Sequence, residues 1–597
     1  MCGFLAGFGK DLPAHRERLL ALGGLLQHRG PDSSQLKSGG DHLFLFHRLA
    51  IQDTASRSDQ PMSDVTGRYT LVFNGELYNY IELRDDLIAA GSVFHTTSDT
   101  EVLLQGLCAD GKAFLERVEG MYSFVLWDRE EKKILAARDP FGIKPLYYLS
   151  SPGLLLFASE PRPLRFFIND TVCPLQLAEL LVFRHTPHSS SPFQKIKSLS
   201  GGHCVAGYPH AIFEEVLADP LSFLEQSVNS DPEQDSKIVS DALFRTFSLH
   251  TRSDVGYALQ LSGGVDSSLT AAICSSSYGR GLECYAASFP KCAYDEGEYR
   301  ARVVERYQLT HHEVSITASD FADALPETIA ALDAPSPHYG CVALYLVCRE
   351  AAKKHKVLLT GEGADELFGG YSRYLRLNEY APVPQSVTTA VPTVLSDTSV
   401  VFACAYAETS AIKQLFPGLD YSFRERACIA ARFPDTARQM MALDHSCYLP
   451  SLLMRQDRVA MAHGIEARVP YVDMALARAL SQIPLQRRLP QERTKPLLKQ
   501  FARRYLDQEL VERRKNGLIL PVYTWLKDER GLGRYLGALT EPSARLATYT
   551  DRRRLSAFID RELCRGGSDT TSALMQVLNV ELWLRSLDDM RSIREVV

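Results

Sequence analysis

No two cysteines of this chain stand in a C-x-x-C pair, although thirteen are present. An odd, scattered set is neither a disulfide framework nor a zinc ribbon, so most of these residues are expected to be buried thiols in a reducing cytoplasm. A long apolar run is missing too: none approaches the ~20 residues needed to span a bilayer. The opening Met-Cys-Gly-Phe-Leu-Ala-Gly-Phe-Gly lacks a basic n-region and an extended apolar core, which argues against a secretory signal. Nor is there a surplus of positive charge, and a net charge of −6 offers nucleic acid or an acidic membrane surface little to hold. What is present is ordinary globular material, 45% hydrophobic and 23% charged. The 597 residues exceed what one core organises, and two to four domains are expected.

The stretch Leu259-Gln260-Leu261-Ser262-Gly263-Gly264-Val265-Asp266-Ser267-Ser268 carries the strongest local signal. Val255 to Leu261 is short and apolar enough for a buried strand, and Ser267 to Cys274 begins a helix-compatible run, so the two glycines fall at a strand-to-helix junction. Gly263 and Gly264 let the backbone approach an anion, Ser262, Ser267 and Ser268 add hydroxyl donors, and the helix start favours negative charge. Asp266 would repel a phosphate unless a cation lay between them, which implies magnesium. The lysine-bearing GxxxxGK[ST] pattern is absent, which disfavours ordinary γ-phosphoryl transfer. SGGVDS resembles instead the pyrophosphate loop of enzymes that cleave ATP between its α and β phosphates.

In the first third, Cys2 follows the initiator methionine directly, and its small side chain permits removal of Met1. The exposed cysteine would then unite a nucleophile with its base, since an α-amine of pKa about 7.7–8.0 accepts the thiol proton near neutral pH. Short strands are expected at Leu43 to Phe46, Tyr69 to Phe73, Met121 to Trp127 and Lys133 to Ala137, with a few helices between them, a layered α/β pattern. At the end of the Tyr69 to Phe73 run, the Asn74 amide and the Gly75 N–H are placed to point at one developing oxyanion. Each feature also has a plainer reading: Asn74-Gly75 as a hairpin turn, Arg48 in a surface ion pair, Asp99 as a helix cap.

Taken in order, MCG, HRGPD, HRLAI, NGELYN, TTSDTE, RDPFGIKPLYY and FASE resemble the glutaminase domain of class II glutamine amidotransferases, an αββα N-terminal-nucleophile (Ntn) hydrolase. The resemblance implies that Cys2 attacks the glutamine amide and that Asn74 and Gly75 form the oxyanion hole. It implies that Arg48 grips the substrate carboxylate, that Leu49 and Ile51 line the glutamine site, and that Glu76 and Asp99 bind the α-amino group.

Beyond a mixed stretch, strands near Cys284 to Phe289, His312 to Ile316 and Val357 to Thr360 alternate with helices at Tyr299 to Tyr307 and Val342 to Lys354, which predicts a doubly wound parallel sheet. The last strand runs into Gly361-Glu362-Gly363-Ala364-Asp365-Glu366, at the same sheet edge as the Gly263-Gly264 loop. Asp365 is suited to join Asp266 on magnesium, and Glu362 to shuttle a proton or orient a nucleophile. With Asp444 to Pro450, Leu452 to Ala462, Glu466 to Asp473, Lys495 to Lys499, Arg514-Lys515-Asn516-Gly517, Pro521 and Trp525, the chain is similar to the synthetase domain of the glutamine-hydrolysing asparagine synthetase family over roughly residues 2 to 530. That resemblance assigns Leu261, Ser262, Gly263, Gly264, Asp266, Ser267, Ser288, Thr360 and Gly361 to ATP, and Lys495 to charge stabilisation at the reacting phosphorus. Two departures stand out. Arg458 and Lys499 exchange the family's usual lysine and arginine, and the segment Ala334 to Ala343 lacks the threonine and arginine associated with aspartate. His338 and Arg373 are the candidate cations for an acceptor carboxylate there.

The expected architecture is α/β: a glutaminase sandwich over residues 2–210, a linker over 211–235, and an ATP-pyrophosphatase domain with a helical C-terminal part over 236–597. The expected activity is glutamine-dependent asparagine synthesis from aspartate and ATP with Mg2+, releasing AMP and pyrophosphate. An amide synthetase of specialised metabolism that uses another small carboxylate is the alternative, and a non-catalytic sensor is disfavoured because both sets of groups are present. The expected partners are these small molecules, with no nucleic acid and no membrane, and a homodimer as the candidate assembly.

Overall fold

A computed structural model describes residues 2–187, 190–225, 231–290, 296–388, 395–490, 492–513, 520–565 and 568–589. Its N-terminal part is two six-stranded antiparallel sheets laid face to face. One runs, edge to edge, through Lys197–Ser198, Tyr147–Ser151, Leu154–Ala158, Cys2–Phe8, His42–Arg48 and Ser33–Ser38. The other runs through Ala211–Val216, His203–Tyr208, Lys133–Arg138, Gly120–Asp128, Tyr69–Leu77 and Met62–Ser63. Strand alternation sorts the side chains into layers. Phe4, Ala6, Phe8, Phe44 and Phe46 from the first sheet meet Val72, Val125, Trp127 and Ala136 from the second in one buried cluster. Leu5, Leu43 and Leu156 face the opposite way, towards the helix Leu12–Gly23, and Leu71, Phe73 and Phe124 pack on the helices Tyr80–Ala89 and Asp99–Asp110. The layers are therefore αββα.

The strand Ala211–Val216 lies inside the segment read as linker and pairs antiparallel with His203–Tyr208. Its sequence, AIFEEV, alternates on an exposed edge and so lacks the continuous apolar run of a buried strand. The following helix also begins earlier than expected, at Pro232, with Asp231 capping it through the Glu233 N–H. The connection between the two parts is thus shorter than residues 211–235 at both ends.

The second part holds a five-stranded parallel sheet ordered Thr310–Ser315, Glu283–Ser288, Tyr257–Gln260, Val357–Leu359 and Glu466–Arg468. The chain winds outwards one way from Tyr257–Gln260 and then returns to its other side with Val357–Leu359. The crevice above that reversal is where open α/β sheets bind ligands. The loops that leave these two neighbouring strands are the two motifs singled out above. Every cysteine among the described residues is a free thiol, and no helix among them is long and apolar enough to cross a membrane.

The C-terminal helix Ser568–Asp589 touches both parts. Gln576 Nε2 donates to the Leu180 carbonyl at 2.7 Å on the N-terminal side, and Asn579 exchanges two hydrogen bonds with the Ser336 backbone on the other. Trp583 is fully buried, its ring 6.2 Å from that of Phe193. Trp583→Ala is expected to lower stability by ~3–5 kcal/mol, as large-to-small changes in a packed core do, and a urea unfolding curve measures it.

Candidate functional site

Two clusters stand out. In the first, antiparallel pairing sets Cys2 opposite Arg48, and the Cys2 backbone N–H donates to Asn74 Oδ1 at 2.9 Å across the gap between the sheets. That bond fixes the Asn74 amide: with Oδ1 accepting, Nδ2 is a donor pointing elsewhere, and it is buried without a protein partner. Gly75 follows, where a Cβ would lie 2.7 Å from Tyr122 Cα, too close for any other residue. Burial raises the Cys2 thiol, while a positive amino terminus, the Leu49 N–H and Arg48 pull it back. Ile51 lies buried in the adjoining core.

Arg48 is more committed than expected. Its Nη1 bonds the Ala55 carbonyl at 2.9 Å and Asp59 Oδ1 at 2.7 Å, and its Nη2 bonds the Gln52 and Asp53 carbonyls at 3.2 and 2.6 Å. It organises the loop beside Cys2, and a substrate carboxylate would have to share this fork. Glu76 and Asp99 are both buried and close enough to repel each other. Asp99 accepts the Leu77 N–H at 3.0 Å, and burial pushes its carboxyl up to about 6. Burial raises Glu76 as well, against the attraction of Arg468, which sits 3.2 Å from its Oε2.

The second cluster lies at the carboxyl edge of the parallel sheet. Leu261 is buried and donates its N–H to the Tyr285 carbonyl at 3.0 Å. Ser262 and Ser267 join through their hydroxyls at 2.9 Å, and the Gly264 N–H donates to Ser262 Oγ at 3.2 Å. Gly263 has φ +90°, which closes the turn before the helix Val265–Tyr278. Ser288, Thr360 and Gly361 share this edge, each just at or beyond the end of its strand. Gly361 passes so close to the loop that a Cβ would stand 2.8 Å from the Ser267 nitrogen.

Lys495 closes the site. Its Nζ lies 2.7 and 2.6 Å from the two oxygens of Asp266 and 2.7 Å from Asp365 Oδ1, and these carboxylates raise its pKa against the cost of burial. It also holds a left-handed conformation, φ +52°, immediately before Pro496, which disfavours helical geometry in the residue ahead of it. Such backbone strain costs of order 1–3 kcal/mol and persists only where surroundings impose it. The three carboxylates of the acidic loop go separate ways: Asp365 to Lys495, Glu362 to Arg455, and Glu366 inwards to the Tyr371 hydroxyl, where burial raises it to about 8.

Several groups here were not singled out from the sequence. Arg455 is the guanidinium at the acidic loop, whereas Arg373 is bound to Asp444 at 2.6 Å and stacked on Tyr371, and His338 Nδ1 accepts the Gly340 N–H. Neither suggested cation is thus well placed for an acceptor carboxylate. Arg513 lies over the Ser262–Ser267 loop, 3.1 Å from the Gly263 carbonyl and paired with Glu296, and brings positive charge to a loop that has none of its own. Arg514-Lys515-Asn516-Gly517 lies outside the described residues.

A buried Cys2 thiol in an αββα sandwich, joined to a Gly-rich loop at the switch point of a parallel sheet, is the pattern of a glutamine amidotransferase coupled to an ATP-dependent ligase. The comparisons agree: residues 1–214 match the glutamine amidotransferase domain family, and residues 239–585 match the asparagine synthase family. The chain belongs to the asparagine synthase family. Two glutamine-hydrolysing asparagine synthetases of Bacillus subtilis are similar along most of its length. Asparagine synthetase 1 is 29% identical, covering 89% of this chain and 88% of its own, and asparagine synthetase 3 is 28% identical, covering 94% of each. The glutamine phosphoribosylpyrophosphate amidotransferase structure from B. subtilis aligns at 17% identity and TM-score 0.28 over 52% of this chain and 65% of that one.

Lys495→Met should leave Asp266 and Asp365 facing each other without a cation and lower stability by ~3 kcal/mol, the scale for breaking a buried pair. Adding Asp266→Asn and Asp365→Asn should recover most of that loss, because the three groups act as one unit. Urea denaturation of the four proteins tests the coupling.

Proposed function

We propose that this protein is a glutamine-dependent asparagine synthetase, with a glutaminase domain that extends to Val216 and a synthetase domain that begins at Pro232. The observation that carries the first half is the Cys2 N–H to Asn74 bond, which leaves Asn74 Nδ2 as a buried, unspent donor. Once Met1 is removed, the Cys2 nitrogen is an amine able to take the thiol proton that burial otherwise holds. Sγ attacks the glutamine side-chain carbonyl, the oxyanion meets Asn74 Nδ2 and the Gly75 N–H, and ammonia leaves as the thioester forms. Water then releases glutamate. Arg48 takes the α-carboxylate by giving up part of its loop contacts, and Glu76 and Asp99 take the α-ammonium.

In the second half, the loop Ser262–Ser267 with Thr360, Gly361 and Ser288 holds ATP, and the aspartate side-chain carboxylate attacks the α-phosphorus. Pyrophosphate leaves past Arg513, and ammonia displaces AMP. Among the described residues no three His, Cys, Asp or Glu side chains gather as a metal site. Asp266 and Asp365 nevertheless face one cation, and two carboxylates completed by phosphate oxygens are the usual protein share of a Mg2+ site. Magnesium held there would neutralise charge on the phosphates. Lys495 then moves from the carboxylates to the negative charge that grows at phosphorus, while Glu362 takes a proton from the attacking ammonia. The pairing of Arg455 with Glu362 favours, as second reading, an acceptor acid other than aspartate. Pyrophosphate release measured over a panel of small carboxylic acids decides between them.

Cys2→Ala is expected to abolish amide synthesis from glutamine and to retain it from ammonium salts; equal loss with both nitrogen sources would overturn the separation of the two sites. Asp266→Asn and Asp365→Asn should each stop pyrophosphate release with glutaminase activity kept, and the double variant should be no worse than either. The ionised forms of Glu76 and Asp99 are the ones that attract an ammonium. The kcat/KM for glutamine should therefore be full where both carboxyls are ionised and fall as pH drops, with an acidic limb at about 6 or higher, since burial raises Asp99 to about 6 and raises Glu76 as well.

A further inference from the structure

Arg468 stands on the last strand of the parallel sheet, yet it ends in the glutaminase pocket. It is fully buried. Its Nε donates to Glu466 Oε1 at 2.6 Å, its Nη1 to the His250 and Arg252 carbonyls at 2.8 and 2.5 Å, and its Nη2 faces Glu76 Oε2 at 3.2 Å. The other Glu76 oxygen, Oε1, is buried with no protein partner. The Arg468 carbonyl meanwhile accepts the Thr360 N–H at 3.0 Å, at the mouth of the nucleotide site, where Leu359 and Arg468 are paired in register. One residue thus has its main chain at one active site and its charge in the other.

We infer that Arg468 is a positioning residue of the glutamine site, supplied by the synthetase domain, which favours the charged form of Glu76 against its burial and aims its second oxygen at the substrate's α-ammonium. This rests on the reading of Glu76 as the partner of that ammonium. A carboxylate with no cation beside it would protonate in such a buried place, and a neutral Glu76 attracts no ammonium. The groups facing Glu76 are Arg468 and the chain's amino terminus, which favour its charge, and Asp99 and Glu466, which oppose it; Tyr78 and Tyr80 stand nearby. Arg468 is the opposing charge in direct contact. The three donors it spends on Glu466 and on two carbonyls lock its fork, so the position of Glu76 is set by a strand of the other domain.

The test uses the full-length enzyme and follows glutamine hydrolysis without ATP, with ammonium-dependent pyrophosphate release as the control. Arg468→Met is expected to raise the glutamine KM by roughly tenfold or more, with kcat changed far less. The acidic limb of its kcat/KM profile should move upwards by about one pH unit, as the Glu76 carboxyl loses its cation. Arg468→Lys should restore part of both, and ammonium-dependent activity should stay near that of the parent. Glu76→Gln separates the two ideas. If Glu76→Gln raises the glutamine KM but Arg468→Met leaves KM and pH profile unchanged, the role of Arg468 is overturned; if Glu76→Gln changes nothing, the reading of Glu76 itself fails. Should Arg468→Met not fold, Arg468→Lys carries the test: a raised glutamine KM with the control intact supports the inference, and equal loss of both half-reactions defeats it.

Discussion

Charge buried between the two parts of the chain is the constraint on which the rest depends. Arg29 is wholly enclosed and divides its guanidinium between Glu160 at 3.0 Å in its own domain and Asp457 at 2.8 Å in the other, while its Nε holds the Cys2 carbonyl at 3.1 Å. Lys144 approaches Asp457 and Arg458 approaches Glu160 in the same seam. Arg468 repeats the pattern at Glu76. A buried ion left without its partner costs about 3–5 kcal/mol, so separating the domains would strand several such charges at once. The geometry of Cys2 and of Glu76 is therefore a property of the whole chain.

The carboxyl edge of the parallel sheet shows a second economy of position. Tyr257–Gln260 and Val357–Leu359 are neighbours in the sheet, so the loops that leave them meet above the reversal of winding. Asp266 comes from one and Asp365 from the other, and Lys495 reaches both from a third segment. Its strained backbone is tolerated because two short ion pairs and burial fix the side chain. Glycine is required where the chains crowd: at Gly361 against Ser267, and at Gly370, where any Cβ would overlap Asp365 and Lys495.

Local chemistry was readable from the sequence, and distant pairing was not. The Gly263-Gly264 turn, the parallel strands and the acidic loop follow from residues a few positions apart, since a strand, a turn and a helix start leave their signals side by side. The edge strand Ala211–Val216 escaped because four of its six residues are exposed and its turn is Pro209-His210. Arg455, Arg468 and Arg513 escaped for another reason. A guanidinium on a helix or strand announces nothing about the carboxylate that it will meet, and Glu362, Glu76 and Glu296 are brought to them only by the tertiary fold. Arg48 was readable as important, but its four bonds to its own loop and to Asp59 depend on how the chain turns after Ile51.

The helix Ser568–Asp589 gives the chain a timetable. It follows both parts in the sequence, and its Gln576 and Asn579 tie Leu180 to Ser336, one anchor on each side of the seam. A chain grown only to Val216 has Arg29 without Asp457 and Glu76 without Arg468, so the second part and the helix that ties the two together must be in place before the surroundings of Cys2 and Glu76 are complete.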